Sequence, residues 1–415
     1  MRTKTYRIQR LTTQESVLEW LYANFNYVLD FRGNGYSNGF DNYIFASNTT
    51  LEHNKTNLLK QTYSPLKAGF LSYDLKNSIE DLESNNPSQF TFPVVGFIEA
   101  EIKFKFTDHY LVITSEHLNI DSVIDKIKKH KKRHYRDTTF HFEPQTSQEN
   151  YYKNVNDIKK LIEEGEVYEM CYCNEFLSDI SSEIAPTRIY EKLNSYSPKP
   201  FANFIKWNHL VLIGASPERF LKSKDNKLIS QPIKGTAKRG ITYNEDLKNK
   251  ARLKEDSKER AENLMIVDLV RNDFARCAIP GTINVDELFG IYTFPYVHQM
   301  ISTISAQINP STTGFNEIIR ATFPMGSMTG APKINAMKFI DQFENFKRGL
   351  YSGSVGYFTE SGFDFNVVIR SIQLNLTTNK AGIHVGSAIT YDSTAENEFE
   401  ECNTKATSVT KSLET

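Results

Sequence analysis

The chain has 415 residues, and its 49 Lys and Arg against 50 Asp and Glu give a formal net charge of -1. That balance provides no bulk electrostatic attraction to nucleic acid or to an anionic membrane surface. No apolar run approaches the roughly 18 residues of a membrane span, and the first residues lead into no apolar signal core. We therefore predict a cytoplasmic protein whose partners are small molecules and proteins.

The length fits either two or three ordinary domains or one large interleaved domain. The four cysteines, Cys171, Cys173, Cys277 and Cys402, lack the CxxC spacing of a metal site. In a reduced compartment they are expected to be buried thiols.

The first part of the chain, to about residue 145, is rich in β-branched and aromatic runs separated by turn residues. These runs, at 43–46, 92–97, 102–106 and 110–113, predict strands. A basic run at 126–136 closes an amphipathic helix that begins near residue 121. Because the total charge is near zero, we interpret this run as a solvated helix end rather than a nucleic-acid patch.

Residues 138–148 form the predicted joint between this scaffold and a catalytic part. Apolar residues at helical spacing then predict a helix over 152–163. Two strands are predicted at 167–173 and 209–214, and the second leads directly into Ser216-Pro217-Glu218.

The stretch 231–240 contains Pro232, Gly235, Thr236 and Gly240, which predicts a turn-rich loop that can approach a ligand closely. Lys234 lies among its small and apolar residues. In a poorly hydrated pocket the pKa of this lysine would fall and its amine would become a nucleophile. A surface turn with a solvated lysine is the alternative.

Two predicted helices each carry a pair of glutamates three residues apart, Glu259 with Glu262 and Glu398 with Glu401. Residues at this spacing share a helix face, and carboxylate oxygens are suitable ligands for a hard cation such as Mg²⁺. Taken singly, each pair is better explained as a solvated acidic face.

A loop rich in Gly, Ser and Thr at 323–333 opens a helix and offers backbone N–H groups to an anion. It lacks the Gly-Lys-Ser/Thr ending of a nucleotide-binding loop, which argues against a nucleotide. Arg370 follows a predicted strand and can grip a carboxylate, although a structural ion pair is an open alternative.

These motifs together resemble the chorismate-utilising enzymes, over about residues 148–410. The resemblance rests on seven segments in the order of that family: 216–220, 232–236, 259–273, 297–299, 326–333, 369–371 and 392–406. Lys234 in Pro-Ile-Lys-Gly-Thr is typical of the branch that aminates chorismate at C4, the aminodeoxychorismate synthases. Glu169 takes the place of the water-activating lysine of other branches, which argues against direct attack by water and leaves its own role open.

The resemblance implies an α+β fold like that of anthranilate synthase component I, a two-layer sandwich of facing antiparallel sheets flanked by helices. Residues 1–145 would be a shortened N-terminal scaffold, and residues 146–415 the chorismate-binding catalytic domain. The two parts would be interleaved into one fold.

The resemblance also implies the roles of individual residues. Lys234 would attack C2 of chorismate as a neutral amine, and Glu218 would donate a proton to the departing C4 hydroxyl. His298 matches the catalytic histidine of the family. Mg²⁺ would be held by Glu262 and Glu401, with Glu259 and Glu398 in support. The residues expected to bind substrate are Thr236, Tyr351, Arg370, Gly386 and Lys405.

The resemblance implies that the second substrate is ammonia and that it comes from a separate glutaminase subunit. In this chain no cysteine lies in a Gly-x-Cys-x-Gly elbow. Two other functions are left open. One is the anthranilate synthase component I reaction, which aminates C2. The other is a non-catalytic, regulatory anion-binding module.

Overall fold

The computed structural model describes residues 2–8, 12–51, 64–130, 139–180 and 183–414. The strands are β1 (Arg2–Arg7), β2 (Tyr27–Arg32), β3 (Asn42–Ser47), β4 (Lys67–Leu71), β5 (Val95–Glu99), β6 (Ile102–Phe106), β7 (Tyr110–Ser115), β8 (Glu143–Pro144), β9 (Glu169–Asp179), β10 (Phe201–Trp207), β11 (Leu210–Ser216), β12 (Arg219–Lys224), β13 (Lys227–Gln231), β14 (Ile233–Lys238), β15 (Asn284–Thr293), β16 (Val297–Gln307), β17 (Gly330–Ala331), β18 (Ser354–Phe358), β19 (Gly362–Val367), β20 (Ser371–Asn375) and β21 (Lys380–Ile389). The helices are α1 (Gln14–Asn24), α2 (Lys76–Ile79), α3 (Ile120–Lys129), α4 (Gln148–Glu163), α5 (Pro186–Tyr196), α6 (Tyr243–Glu255), α7 (Ser257–Ala275), α8 (Phe315–Thr322), α9 (Lys333–Phe343) and α10 (Ala395–Glu414).

Within these described ranges the strands form two sheets. The first has twelve strands in the order β1-β7-β6-β3-β2-β10-β11-β20-β21-β9-β17, with β8 also paired to β9. The second has nine strands in the order β14-β16-β13-β12-β19-β18-β4-β5, with β15 also paired to β16. Every strand pair is antiparallel, for example β21 with β9 and β12 with β19.

Side chains that alternate along the strands of the first sheet enter two different cores. On β10, Ala202 and Phe204 pack into a core that also contains residues of α1, α3, α4, α5, α9 and α10. Phe201 and Ile205 point the other way, into a core shared with β4 and β18 of the second sheet. The opposite face of the second sheet is covered by α7 and α8. The result is two facing sheets with helices outside them, as the sequence predicts.

Both sheets combine strands from the two sides of residue 146. In the first sheet β2 pairs with β10, and in the second β4 pairs with β18. This pairing agrees with interleaving of the scaffold and the catalytic part, whereas the boundary at residue 146 itself stays a prediction. In the described part of the chain, no helix has the length and apolar character that crossing a membrane requires.

Most of the predicted elements are present, with shifted ends. The helix predicted over 152–163 is α4, which begins one turn earlier behind Ser147, whose Oγ accepts a hydrogen bond from the backbone N–H of Asn150. The basic run is in α3 only as far as Lys129, and its residues 131–136 lie outside the described residues. All four cysteines are free, and three of them are buried.

Candidate active site

Lys234 lies on a strand rather than in the predicted loop. The segment is β14, which pairs with β16 and contains a register shift between Ile233 and Thr236. At Gly235, inside this shift, the backbone φ is +97°, a conformation that favours glycine. Pro232 thus marks the break between β13 and β14, and Gly235 marks a β-bulge. Both features use residue types that are also typical of turns, which is why the sequence suggested a loop.

The amine of Lys234 is held by Glu169, the first residue of β9. The Nζ to Oε1 distance is 2.7 Å, and the exposed fractions of the two side chains are 12% and 1%. The second carboxylate oxygen of Glu169, Oε2, is buried and accepts no hydrogen bond from any described residue. The pair is therefore desolvated, and one of its acceptors is unsatisfied.

The prediction that burial lowers the pKa of Lys234 is wrong for this arrangement. Burial does lower it, but the charges of Glu169 and Glu262 and the hydrogen bond to Glu169 outweigh burial, so that the pKa of Lys234 is raised. The structure thus contains a charged lysine, which is not nucleophilic until its proton leaves. Glu169 is the residue whose role the sequence left open.

Glu218 shows the behaviour expected of a proton donor. Burial raises the pKa of Glu218 to about 7, although the hydrogen bond from Ser327 and the charge of Lys234 both lower it. The Ser327 hydroxyl donates to Glu218 Oε1 at 2.7 Å, and the backbone N–H of Ile233 also donates to this carboxyl. A carboxylic acid that keeps its proton near neutral pH lies beside the strand that carries Lys234.

The two glutamate pairs lie on α7 and α10. Burial raises the pKa of Glu262 to about 7, against the lowering effect of the Lys234 charge. Burial, followed by the charges of Asp256 and Glu401, raises the pKa of Glu259. These effects show that Glu259, Glu262 and Glu401 surround the same region as Lys234. A Cβ at Gly235 would lie 3.1 Å from Glu259 Oε2, so glycine permits the close approach of β14 to α7.

Glu398 faces a different environment. It is buried, and its charge contributes to the raised pKa of Tyr151, for which burial is the largest cause. Glu401, one turn later, is paired instead with Lys405 at 2.5 Å. The structure does not bring Glu398 to the other three glutamates through any described contact.

Glutamates of α7 and α10 are chemically suitable ligands for Mg²⁺, because carboxylate oxygens from both helices face a common region. The geometry of this group is incomplete, because no three His, Cys, Asp or Glu side chains of the described residues lie close enough together to hold a metal ion. Glu262 Oε1 is 3.8 Å from Lys258 Nζ, and Glu401 is held by Lys405. A metal at this position would have to replace these lysines as the partner of the carboxylates.

Four of the predicted substrate-binding residues lie at the junction of β20, β21 and α10. Lys405 Nζ donates to the Gly386 carbonyl oxygen at 2.8 Å. Arg370 Nη1 donates to Ser408 Oγ at 2.7 Å and to the Lys405 carbonyl oxygen at 3.4 Å. Tyr351 is buried. Burial lowers the pKa of Arg370, and the ionised form of Tyr351 would partly oppose that effect. The sequence prediction thus grouped residues that the fold does bring together.

A cavity of about 650 Å³ opens beside this group. Thr236 and Arg370 line it, together with residues of α5, β16 and α10. Gln299 of β16 also lines it and is the cross-strand partner of Thr236. Its volume is in the ordinary range for a pocket that encloses a small molecule.

His298 does not line this cavity, and its assignment as the catalytic histidine stays a prediction. Its Nε2 lies 2.9 Å from Asp246 Oδ1, and its Nδ1 lies 3.0 Å from Thr293 Oγ1. Adjacent residues of a strand point to opposite faces, so that Gln299 faces the cavity and His298 faces α6. The alternation of side chains along β16 therefore places these two neighbouring residues on opposite faces of the strand.

A buried ion pair that the sequence analysis missed supports the loop behind Glu218. Arg348 and Glu344 are each 1% exposed at their side chains and lie 2.6 Å apart. Arg348 also donates to the carbonyl oxygens of Met328 and Cys171, at 2.6 and 2.8 Å. It therefore fixes the loop that carries Ser327 against β9, the strand that carries Glu169.

Known proteins with similar sequences and structures identify the family of this chain. Residues 18–411 match the family described as chorismate binding enzyme. The chain belongs to the chorismate binding enzyme family. The match covers every strand of the two sheets except β1, from within α1 to within α10, and confirms the family indicated by the motifs.

Several chorismate binding enzymes are similar to this chain. A chloroplastic aminodeoxychorismate synthase of Arabidopsis thaliana is 42% identical over 63% of this chain and 28% of that protein. Aminodeoxychorismate synthase component 1 of Escherichia coli is 31% identical over 83% of this chain and 76% of that protein. Anthranilate synthase component 1 proteins match as well, at 29% and 31% identity. The chain spans only 28% to 38% of the length of the first four curated relatives.

Solved structures of chorismate binding enzymes share the fold. Anthranilate synthase component I of Streptococcus pneumoniae superposes with a TM-score of 0.76 at 23% identity, covering 99% of this chain and 92% of that one. This likeness confirms the anthranilate-synthase-like architecture of two antiparallel sheets.

Proposed function

We propose that the chain catalyses the Mg²⁺-dependent amination of chorismate at C4, which yields 4-amino-4-deoxychorismate, the precursor of 4-aminobenzoate and folate. The observation that carries the proposal is a buried lysine, Lys234, in Pro-Ile-Lys-Gly-Thr beside an acid, Glu218, whose pKa is raised to about 7. The similarity to aminodeoxychorismate synthases supports it. The proposed setting is the cytoplasm.

The reaction begins with loss of a proton from Lys234. In the proposed mechanism Glu169, 2.7 Å away, accepts the proton of the ammonium group, and the pair becomes neutral. The free amine then adds to C2 of chorismate, the two ring double bonds shift from C1=C2 and C5=C6 to C1=C6 and C4=C5, and the C4–O bond breaks. Glu218 gives its proton to the departing hydroxyl, which leaves as water.

Ammonia then replaces Lys234 on the substrate. It adds to C4, both ring double bonds shift back to C1=C2 and C5=C6, the C2–N bond breaks, and Lys234 leaves as an amine. The proton released by the added ammonia restores Glu218 to its acid form. A separate glutaminase subunit is the proposed source of the ammonia.

We assign the substrate's ring carboxylate to the side of the cleft that holds Glu262 and Glu401. Mg²⁺ bound there, with Glu259 and Glu398 in support, would neutralise that carboxylate and fix the ring. The second carboxylate is assigned to Arg370 and Tyr351, with Thr236, Gly386 and Lys405 around it. The positive charge of Arg370 and its position on the cavity wall support this orientation.

The test is to incubate the protein with chorismate, MgCl₂ and an ammonium salt, and to identify the products by mass spectrometry. We expect 4-amino-4-deoxychorismate, with none formed when ammonium is omitted. Anthranilate as the product would establish the C2 reaction instead. Unchanged chorismate from a folded protein would favour the non-catalytic anion-binding module.

A further inference from the structure

An unpaired lysine lines the 650 Å³ cavity. Lys199, between α5 and β10, is only 9% exposed. Its Nζ lies 4.9 Å from the centre of the Phe294 ring, and no described residue accepts a hydrogen bond from it or forms an ion pair with it. A cation–π contact is worth roughly 0.5–2 kcal/mol and offsets only part of the desolvation of this ammonium.

A second cation, Arg370, lines the same cavity. Burial lowers its pKa and the Glu401 charge raises it, but no described carboxylate lies within ion-pair distance of it. The guanidinium of Arg370 has two acceptors among the described residues, the Ser408 hydroxyl and the Lys405 carbonyl oxygen, and both are neutral. Burial and then the charge of Arg370 lower the pKa of Lys199 to about 8. Two cations that repel each other therefore face one space, an arrangement that an anion would stabilise.

An unsatisfied acceptor lies on the same wall. Gln299 is 8% exposed, and its Oε1 is buried and accepts no hydrogen bond from the described residues. Leaving a buried acceptor without a hydrogen bond destabilises the folded protein by about 1–3 kcal/mol. A ligand that donates an O–H or N–H group to this oxygen would remove that penalty. Of the lining residues in the described ranges, only Glu400 is acidic, and it is exposed to solvent. Among the described residues, no carboxylate is paired with Lys199 and no group donates a hydrogen bond to Gln299 Oε1.

We propose that Lys199 and Gln299 form, with Arg370, a binding subsite for a small organic acid that carries a hydrogen-bond donor. The carboxylate lies between Lys199 and Arg370, and the donor group points at Gln299 Oε1. This inference rests on the proposed function, whose substrate is a dicarboxylate with a ring hydroxyl. It adds Lys199 and Gln299 to the residues that position this substrate.

Two substitutions test the lysine. Lys199→Met removes the charge and keeps an unbranched side chain, and Lys199→Arg restores the charge. We expect Lys199→Met to raise the Kd and the KM for chorismate at least about tenfold with kcat nearly unchanged, because a charged hydrogen bond is lost. Lys199→Arg should stay within about threefold of the wild type. Lys411→Met, which changes an exposed lysine on the same cavity wall, is the matched control and should also stay close to the wild type.

A structural role predicts the opposite pattern. Because Lys199→Met removes an unpaired buried charge, its Tm should be equal to or above that of the wild type. A lower Tm together with an unchanged Kd for chorismate would overturn the proposal. Gln299→Leu should raise the same Kd about threefold or more through loss of one hydrogen bond, and an unchanged Kd would remove Gln299 from the subsite.

Chorismate binding is measured by calorimetry without ammonium, so that it does not depend on amination. If the wild type binds chorismate and Lys199→Met weakens binding, the subsite stands even when the product assay contradicts C4 amination. If aminodeoxychorismate forms and both variants bind chorismate like the wild type, the proposed function stands and the subsite is refuted.

Discussion

Replacing Glu218 by glutamine should stabilise the protein, and the gain should increase with pH. Burial raises the pKa of Glu218 from the ordinary 4.5 to about 7. At a pH between these two pKa values, Glu218 releases its proton in the unfolded chain but keeps it in the folded chain. The free energy of unfolding of the wild type therefore falls as the pH rises. A gap of about 2.5 pKa units corresponds to roughly 3 kcal/mol, all of it present below pH 4.5 and lost by the time the pH passes 7.

The assay is urea denaturation of the wild type and Glu218→Gln at pH 5 and pH 8. Glutamine does not ionise, and its Oε1 can still accept the hydrogen bond from Ser327. We expect the difference in free energy of unfolding to increase by about 2.5 kcal/mol in favour of the variant between the two pH values. Glu116→Gln, at an exposed glutamate, is the control and should show no such increase.

A stability difference between Glu218→Gln and the wild type that does not change with pH would refute the assignment of Glu218 as a buried acid. A difference of the expected sign would also predict that kcat of the wild type declines above about pH 7, as the acid loses its proton.

Three further predictions concern the surroundings of this acid. Glu262→Gln and Glu401→Gln should each abolish Mg²⁺-dependent product formation without changing the circular dichroism spectrum, because each removes a hard anionic ligand, and full activity at limiting Mg²⁺ would remove that residue from the metal site. Glu169→Gln should lower the pKa of Lys234, since burial then dominates, and peptide mass spectrometry should show faster acetylation of Lys234 by acetic anhydride at pH 8; equal rates would contradict the role of the ion pair. Gly235→Ala should destabilise the protein by about 1–3 kcal/mol in urea, because its φ is +97° and a glutamate oxygen would lie 3.1 Å from the new Cβ; an unchanged midpoint would show that the bulge relaxes.

The sequence predicted the family, the two facing sheets and most of the site because its motifs are local and ordered. Lys234, Glu218 and the glutamates of α7 each belong to a short motif whose spacing is visible in one element. Long-range pairing is not visible in this way. Glu169 and Lys234 are 65 residues apart, and only the positions of β9 and β14 bring the two side chains together.

The same limit explains the corrections. The pKa of Lys234 depends on a carboxylate from another strand, so that burial alone gave the wrong direction. Which side chain of β16 faces the cavity is likewise set by packing: Gln299 lines it, whereas His298 lies against Asp246 of α6. Lys199 belongs to no sequence motif, because what distinguishes it is that no described residue pairs with it in the folded chain.

The central claim, that Lys234 attacks chorismate, is tested most directly by intact-mass spectrometry of the protein incubated with chorismate and MgCl₂ but no ammonium. We expect the protein to gain the mass of chorismate less one water, and peptide mapping to locate the gain at Lys234. Ammonium should then release 4-amino-4-deoxychorismate from the adduct. Lys234→Ala should show neither the adduct nor the release. An absent adduct in the wild type, together with normal formation of 4-amino-4-deoxychorismate by a folded Lys234→Ala variant, would contradict covalent catalysis.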